Sequence, residues 1–519
     1  MPAVVSVTVY DGAETIGGNK IYVENGGSGV FLDFGMNYSR YNEYFNEYLC
    51  DRDTRGIHDL LQLNLIPKLN IYRDDLLTSD TCGCVRSYAR PDVKAVLLSH
   101  AHMDHTGNMG LLDHAIPFVA SSLSLAILKA QQDVSRNAGT SAEAAYVKPR
   151  VPGDNPLVCG SAGTKTPSVG RDLYGLTEPA ARLHDLMAAN PLKSKPYRPG
   201  HIGHLSELDL PFEVDAYPMD HSICGAVAYR LKSPDGTIFY TGDFRFHGEN
   251  GSQNMDRLVA GAREANVLIV EGTRTGREGD HPTTESDVYE HCKAAVDSTD
   301  KLVIADFSAR NFERLEMFAR IARETGRELV ITTRDVYLLA ALECADGRCR
   351  MSNLLVYDAI SDSKSGCDQR LVEREYADRL LSPMEISRNP GNYILCFSFY
   401  DMKHLLDIKP NDGLYIYSSS EAFSEEQEID HLKLFRWLRH FNIETRGIRL
   451  ATENGRPEIT TEPGYHASGH IAGDELEKFI DRISPDIIIP VHTTAHSWFT
   501  SRFHEKVRCL KDGESFSLN

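Results

Sequence analysis

The amino-acid sequence predicts an α/β protein in which a parallel-sheet domain interrupts a metal-binding domain. Three observations predict this. In Leu98-Ser99-His100-Ala101-His102-Met103-Asp104-His105, three histidines and an aspartate cluster directly after an apolar, β-branched run. From Lys301 to about Ser420, apolar strand-like runs alternate with helical periodicity, the pattern of a parallel sheet with crossovers. After about Gly455 the sequence returns to polar turns with isolated histidines and ends a last strand in Ile487-Ile488-Ile489-Pro490-Val491-His492.

The elements follow in order. Val5–Val9, Lys20–Glu24 after the Gly17-Gly18-Asn19 turn, and Val30–Asp33 ending at Gly35 read as hairpin strands of a sheet. The tyrosine-rich, charged stretch Met36–Pro91 reads as an insertion, and the Gly/Pro/Ser-rich stretch Pro152–Gly175 as a loop or lid. Asp220-His221 follows strand-like Glu213–Tyr217, and Asp243 follows Thr237–Gly242. Leu302–Ala305 is a buried-strand run; Phe312, Leu315, Phe318, Ala319 and Ala322 then recur at helical spacing, and Gly326 stops the helix before Leu329–Ile331. Leu354–Tyr357, Tyr393–Cys396 and Leu414–Tyr417 continue the series. Ser424-Glu425-Glu426-Gln427 makes a capping box for a helix running to about His440.

A chain of 519 residues with 41% hydrophobic content can bury a large core. Without an apolar run of about 18 residues or a basic, apolar N-terminal leader, neither membrane nor export is expected. The expected location is the cytoplasm. The net charge of −19 argues against indiscriminate nucleic-acid binding but leaves room for one cationic cleft. Eleven cysteines without framework spacing fit reduced thiols; Cys82/Cys84 and Cys344/Cys349 offer at most a small zinc knuckle.

Imidazole and carboxylate are the ligands of zinc and similar divalent ions, and a strand ending in a tight loop can aim its side chains at two neighbouring ions. His100 and His102 would serve one, Asp104 and His105 the other. Asp243 suits a bridge, because a carboxylate between two cations offsets their repulsion. Taken alone, His221 and Asp243 are turn residues more often than ligands.

Together, His100-Ala101-His102-Met103-Asp104-His105, His221, Asp243 and His492 match in order the ligand motifs of metallo-β-lactamase-fold hydrolases. The resemblance implies an αββα sandwich and two Zn²⁺ ions, with Mn²⁺ or Mg²⁺ as alternatives. It implies that His100, His102 and His221 hold one ion, Asp104, His105 and His492 the other, and that Asp243 bridges. Asp33 resembles the family's first-motif aspartate, which supports the site from behind the ligands. An insertion between Asp243 and His492 is similar to that of the β-CASP branch, whose members process nucleic acids. This implies a Rossmann-like domain at 286–455, between metallo-β-lactamase parts at 1–285 and 456–519. Glu271 in Val267–Thr273 looks like that branch's motif A, His466-Ala467-Ser468-Gly469-His470 its motif B, and Pro490-Val491-His492 its motif C.

A histidine in motif C is typical of RNA-acting members. The spelling of motif B and of Glu14–Asn19 most resembles ribonuclease J, a 5′-to-3′ exonuclease that also cuts internally. Single-stranded RNA is the implied partner and a homodimer the implied assembly. The expected catalytic residues are Asp104, His470 and Glu271: His470 is the candidate proton donor to the leaving 3′ oxygen, or else a hydrogen-bonder that only positions the phosphate, and Glu271 orients a ligand or His470 rather than transferring protons. By the resemblance His466 and Ser468 bind a substrate phosphate; Ser308, with Arg310, sits at the carboxyl end of a parallel strand where ligands gather. The chain ends soon after motif C, so the family's separate C-terminal domain is expected to be missing. Ile394–Phe399 also lacks the glycine-containing loop expected there. The competing readings are a 3′-end-processing or DNA-directed nuclease of the same branch, a non-catalytic RNA-binding scaffold, and a small-molecule hydrolase.

Overall fold

The computed structural model describes residues 5–518 except 47, 136–138, 192–194, 249–250, 277–282, 309, 362–365, 420–424 and 454–455. Two sheets face each other across an apolar layer. The larger has eight strands; its central ones are Ser6–Asp11, Lys20–Asn25, Ser28–Leu32, Asp92–Leu97 and Phe118–Ala120. The smaller has five, in the order Glu213–Pro218, Val227–Ser233, Gly236–Tyr240, Val267–Glu271 and Ile487–Val491. Alternation explains the sandwich: Val7, Val9, Ile21, Val23, Val30 and Leu32 from one sheet meet Tyr229, Leu231, Ile238, Tyr240, Ile269 and Ile489 from the other. The opposite face of the smaller sheet is covered by helices Gly251–Ala262, Gly473–Ile483 and His496–Phe503 through Leu258, Phe479, Ile480 and Phe499.

A seven-stranded, all-parallel sheet lies between residues 302 and 446, with its first strand, Leu302–Asp306, flanked by Tyr393–Cys396 and Gly413–Tyr417. Its central strands Leu302–Asp306 and Gly413–Tyr417 are buried on both faces, as placement between helices requires. The chain leaves the smaller sheet after Glu271 and returns beside it, where Arg274 bridges Ala472 and Ile487–Val491 pairs in parallel with Val267–Glu271. Helix Thr333–Asp346 of the inserted part packs on helix Ser122–Val134, with the Tyr337 hydroxyl donating to Asp133 at 2.7 Å.

Two expectations change. Pro152–Gly175 is not an unbroken loop: it carries short strands at Cys159–Ser161, Ser168–Gly170 and Leu173–Gly175. Leu173–Gly175 joins the eight-stranded sheet between Phe118–Ala120 and Ile202–His204. These strands are too short for a periodicity to show. The third hairpin strand ends at Leu32, because Asp33 turns to a left-handed φ of 58°. Ser424 of the expected capping box lies outside the described residues, and the helix after it is Glu425–His440. Among the described residues no helix is long and apolar enough to cross a membrane.

Candidate metal centre

Parallel strands place the site. Ser28–Leu32 and Asp92–Leu97 run parallel in one sheet; Gly236–Tyr240, Val267–Glu271 and Ile487–Val491 run parallel in the other. Their carboxyl ends deliver Asp33, His100, Asp243, Glu271 and His492 to one edge of the sandwich. His102 ends the loop before helix Met103–Thr106, which carries Asp104 and His105. That helix lies close enough to residue 35 that a Cβ on Gly35 would fall 1.6 Å from the Asp104 carbonyl oxygen. Asp33 and His492 both hold left-handed φ, 58° and 53°, which non-glycine residues adopt at a cost where the surroundings over-determine them.

All seven ligand candidates converge. His100 Nε2 and His221 Nε2 each lie 3.1 Å from His102 Nδ1. His492 Nε2 lies 3.1 Å from Asp104 Oδ2, and His105 Nε2 3.1 Å from Asp243 Oδ2. Asp243 Oδ2 stands between the two sets, 3.8 Å from His100 Nε2 and 3.6 Å from His492 Nε2.

This arrangement fits two cations. Burial drives the pKa of His100 and His221 well below the ordinary imidazole value, helped by neighbouring histidines, and lowers His102 to about 4. Three neutral rings therefore aim lone pairs at one point, and tetrahedral zinc with bonds of about 2.0–2.1 Å sets nitrogens roughly 3.3 Å apart. Burial opposes ionisation of Asp243, yet His492 and His105 hold its pKa well below the carboxylate range. Its Oδ1 is buried with no hydrogen-bond partner among the described residues, an atom that a cation would satisfy.

The rings are oriented from behind. His105 Nδ1 donates to Asp33 Oδ2 at 2.7 Å, and Tyr240 donates to the same oxygen at 2.6 Å. His221 Nδ1 donates to the Gly469 carbonyl at 2.6 Å. The Thr273 hydroxyl donates to Glu271 Oε2 at 2.6 Å and so accepts from His492 Nδ1 at 2.9 Å. Each bond leaves the other ring nitrogen as the metal-facing one.

Glu271 accepts from the Phe244 amide at 2.9 Å, and its Oε2 lies 2.9 Å from His470 Nδ1. Burial disfavours a charged His470, but the Glu271 charge and hydrogen bond prevail and raise its pKa to about 9. The ring lies 5.3 Å from His221 and 5.6 Å from His492, centroid to centroid.

The three phosphate-binding candidates are placed differently. Both ring nitrogens of His466 face carbonyls, Ser419 at 2.5 Å and Gly447 at 2.6 Å. Ser468 Oγ accepts from the His470 amide at 3.1 Å. Ser308 is exposed and lines a crevice at the carboxyl ends of the inserted sheet with Tyr417 and Ser419.

Sequence reasoning missed two supports. Thr273 lies inside motif A, but its link to His492 spans 219 residues and leaves no local signal. Arg245, fully buried, contacts Asp220 at 3.1 Å, Glu285 at 2.8 Å, Glu313, and the Ser468 carbonyl at 3.1 Å. Glu285 also holds Arg314 at 2.9 Å, which donates to the Ser418 carbonyl at 2.6 Å. These charges tie the ligand loops to the inserted domain and to the His466–His470 loop.

The metallo-beta-lactamase superfamily model matches residues 77–265, which hold six of the seven donors. Over those residues the chain is similar to that superfamily. It is 22% identical over 325 residues to Ribonuclease J 2 of Streptococcus pyogenes, covering 59% of this chain and 53% of that protein. It is 24% identical over 296 residues to Ribonuclease J of Sinorhizobium meliloti, covering 55% and 46%. Against these relatives the chain spans about half of their length. With Ribonuclease J of Methanocaldococcus jannaschii, similarity at 21% identity runs over 99% of both chains. A crystal structure of a protein of unknown function from Enterococcus faecalis shares the fold, with a TM-score of 0.65, 21% identity and coverage of 99% of this chain and 100% of that one.

Proposed function

We propose that this protein is a metal-dependent ribonuclease that hydrolyses phosphodiester bonds of single-stranded RNA, as a 5′-to-3′ exonuclease with internal cutting, and that its ions are zinc. The carrying observation is the convergence of all seven donors with the His470–Glu271 pair beside them. Similarity over the full length of an archaeal Ribonuclease J supports RNA as the substrate.

His100, His102 and His221 would hold one ion and Asp104, His105 and His492 the other, with Asp243 shared. Such ions, when bound, would supply Lewis-acid chemistry for activating water and for stabilising charge on the phosphoryl oxygens. The protein's part is positional and acid–base. Asp33, Thr273 and the Gly469 carbonyl fix the ring tautomers. Glu271 keeps His470 protonated and commits Nδ1, leaving Nε2 to deliver a proton to the departing 3′ oxygen.

The test combines metal analysis with cleavage of end-labelled single-stranded RNA carrying 5′-monophosphate, triphosphate or hydroxyl ends. About two zinc ions per chain, loss of cleavage with chelator or in Asp104→Ala, and mononucleotide release from monophosphorylated ends are expected. Cleavage that persists in Asp104→Ala, or turnover of DNA alone, would overturn the proposal.

A further inference from the structure

One cavity is not used by the mechanism above. A space of about 700 Å³ opens between helix Met103–Thr106 of the metal motif and the inserted domain. Met36, Leu60, Met103, Leu128 and Leu338 give it an apolar wall, and Arg310 and Arg334 line it from the inserted domain. Arg334 and Asp335 also line the crevice of about 430 Å³ that holds Ser308, so the two spaces meet there.

Arg310 is half-buried and Arg334 exposed, and neither has the partners that buried arginines have elsewhere. Arg73, Arg245 and Arg314 are each paired with carboxylates. Among the described residues neither Arg310 nor Arg334 makes a side-chain hydrogen bond or salt bridge, although Arg310 is half-buried and feels the charge of Asp104. In a chain of net charge −19, two uncommitted guanidiniums facing a cavity beside the donors mark a place for an anion. Nearby acids are engaged: Asp51 accepts from Tyr41 at 2.6 Å, and Asp53 pairs with Arg150 at 2.8 Å. Small-ligand sites occupy about 300–1,000 Å³ and are mostly apolar with a few placed polar groups. One or two nucleotides meet that description.

We propose that Arg310 and Arg334 hold the phosphate of the nucleotide next to the cleaved bond, with its base against Met36, Leu60 and Leu128. The subsite rests on the phosphodiesterase reading.

Adenosine 5′-monophosphate is the probe. Its binding to the zinc-loaded protein is measured by titration calorimetry, beside KM and kcat on a short single-stranded RNA. In Arg334→Met and Arg310→Met with unchanged zinc content and melting temperature, probe binding weakens and KM rises about tenfold or more with a smaller change in kcat. Arg334→Lys, which keeps the charge at an exposed position, recovers part of the loss. Undiminished probe binding in both Met variants overturns the subsite, whether or not RNA is cut. Probe binding that needs both arginines in a protein that cuts no RNA keeps the subsite and removes the ribonuclease reading.

Discussion

His470 Nδ1 and Glu271 Oε2 stand 2.9 Å apart, joining the loop after the inserted domain to the strand before it. The Glu271 carboxylate is otherwise saturated by the Phe244 and Thr273 amides and the Thr273 hydroxyl, so it cannot turn away from the imidazole.

Glu271→Gln removes the charge that raises His470 to about 9 against burial. A proton donor works only while protonated, so activity falls as pH rises through its pKa. Losing the carboxylate lowers that pKa, and the alkaline limb of the kcat/KM profile moves to lower pH. Bound cations lower the pKa in both proteins; the displacement between the two profiles is the prediction. At neutral pH kcat falls by about 10²-fold, within the usual range for acid catalysis. Superimposable profiles at equal metal content would remove His470 as the donor.

Glu285 is shared by Arg245 at 2.8 Å and Arg314 at 2.9 Å, and the three side chains are at most 6% exposed. Glu285→Ala leaves the buried Arg314 guanidinium without a carboxylate and takes one of three from Arg245, a loss of roughly 3–5 kcal/mol by analogy with other broken buried pairs. Glu285→Gln keeps acceptor and shape and costs less. Denaturant unfolding measures both; equal and small losses would show that the charges are not coupled.

Burial raises Asp306 to about 7, against hydrogen bonding from Tyr415. Its folded pKa lies above the unfolded value near 3.9. Between about pH 4 and 7 the folded state therefore holds a proton that the unfolded state lacks, and stability falls as pH rises through that window, by up to about 4 kcal/mol. Asp306→Asn removes this term. Its melting temperature relative to the unsubstituted protein should climb from pH 5 to pH 8; a constant difference would refute the assignment.

The metal motif was legible because four donors fall in one short segment directly after a strand. Asp243 and His492 were legible as residues ending apolar runs, but only the ordered match to a family joined them to the motif. The parallel sheet showed in runs such as Leu302–Ala305, buried on both sides. Leu173–Gly175 did not show, since three residues between glycines and prolines carry no period and pair only through distant neighbours. The Arg245–Glu285–Arg314 chain was equally silent: its members are ordinary surface-type residues until folding buries them together.

The Asp104–His492 contact spans 388 residues. Strand Ile487–Val491 seats beside Val267–Glu271 only after the whole intervening domain has emerged from the ribosome. A half-synthesised polypeptide therefore lacks one donor and the neighbour that braces Glu271. The set of seven donors is complete only once the last strand docks.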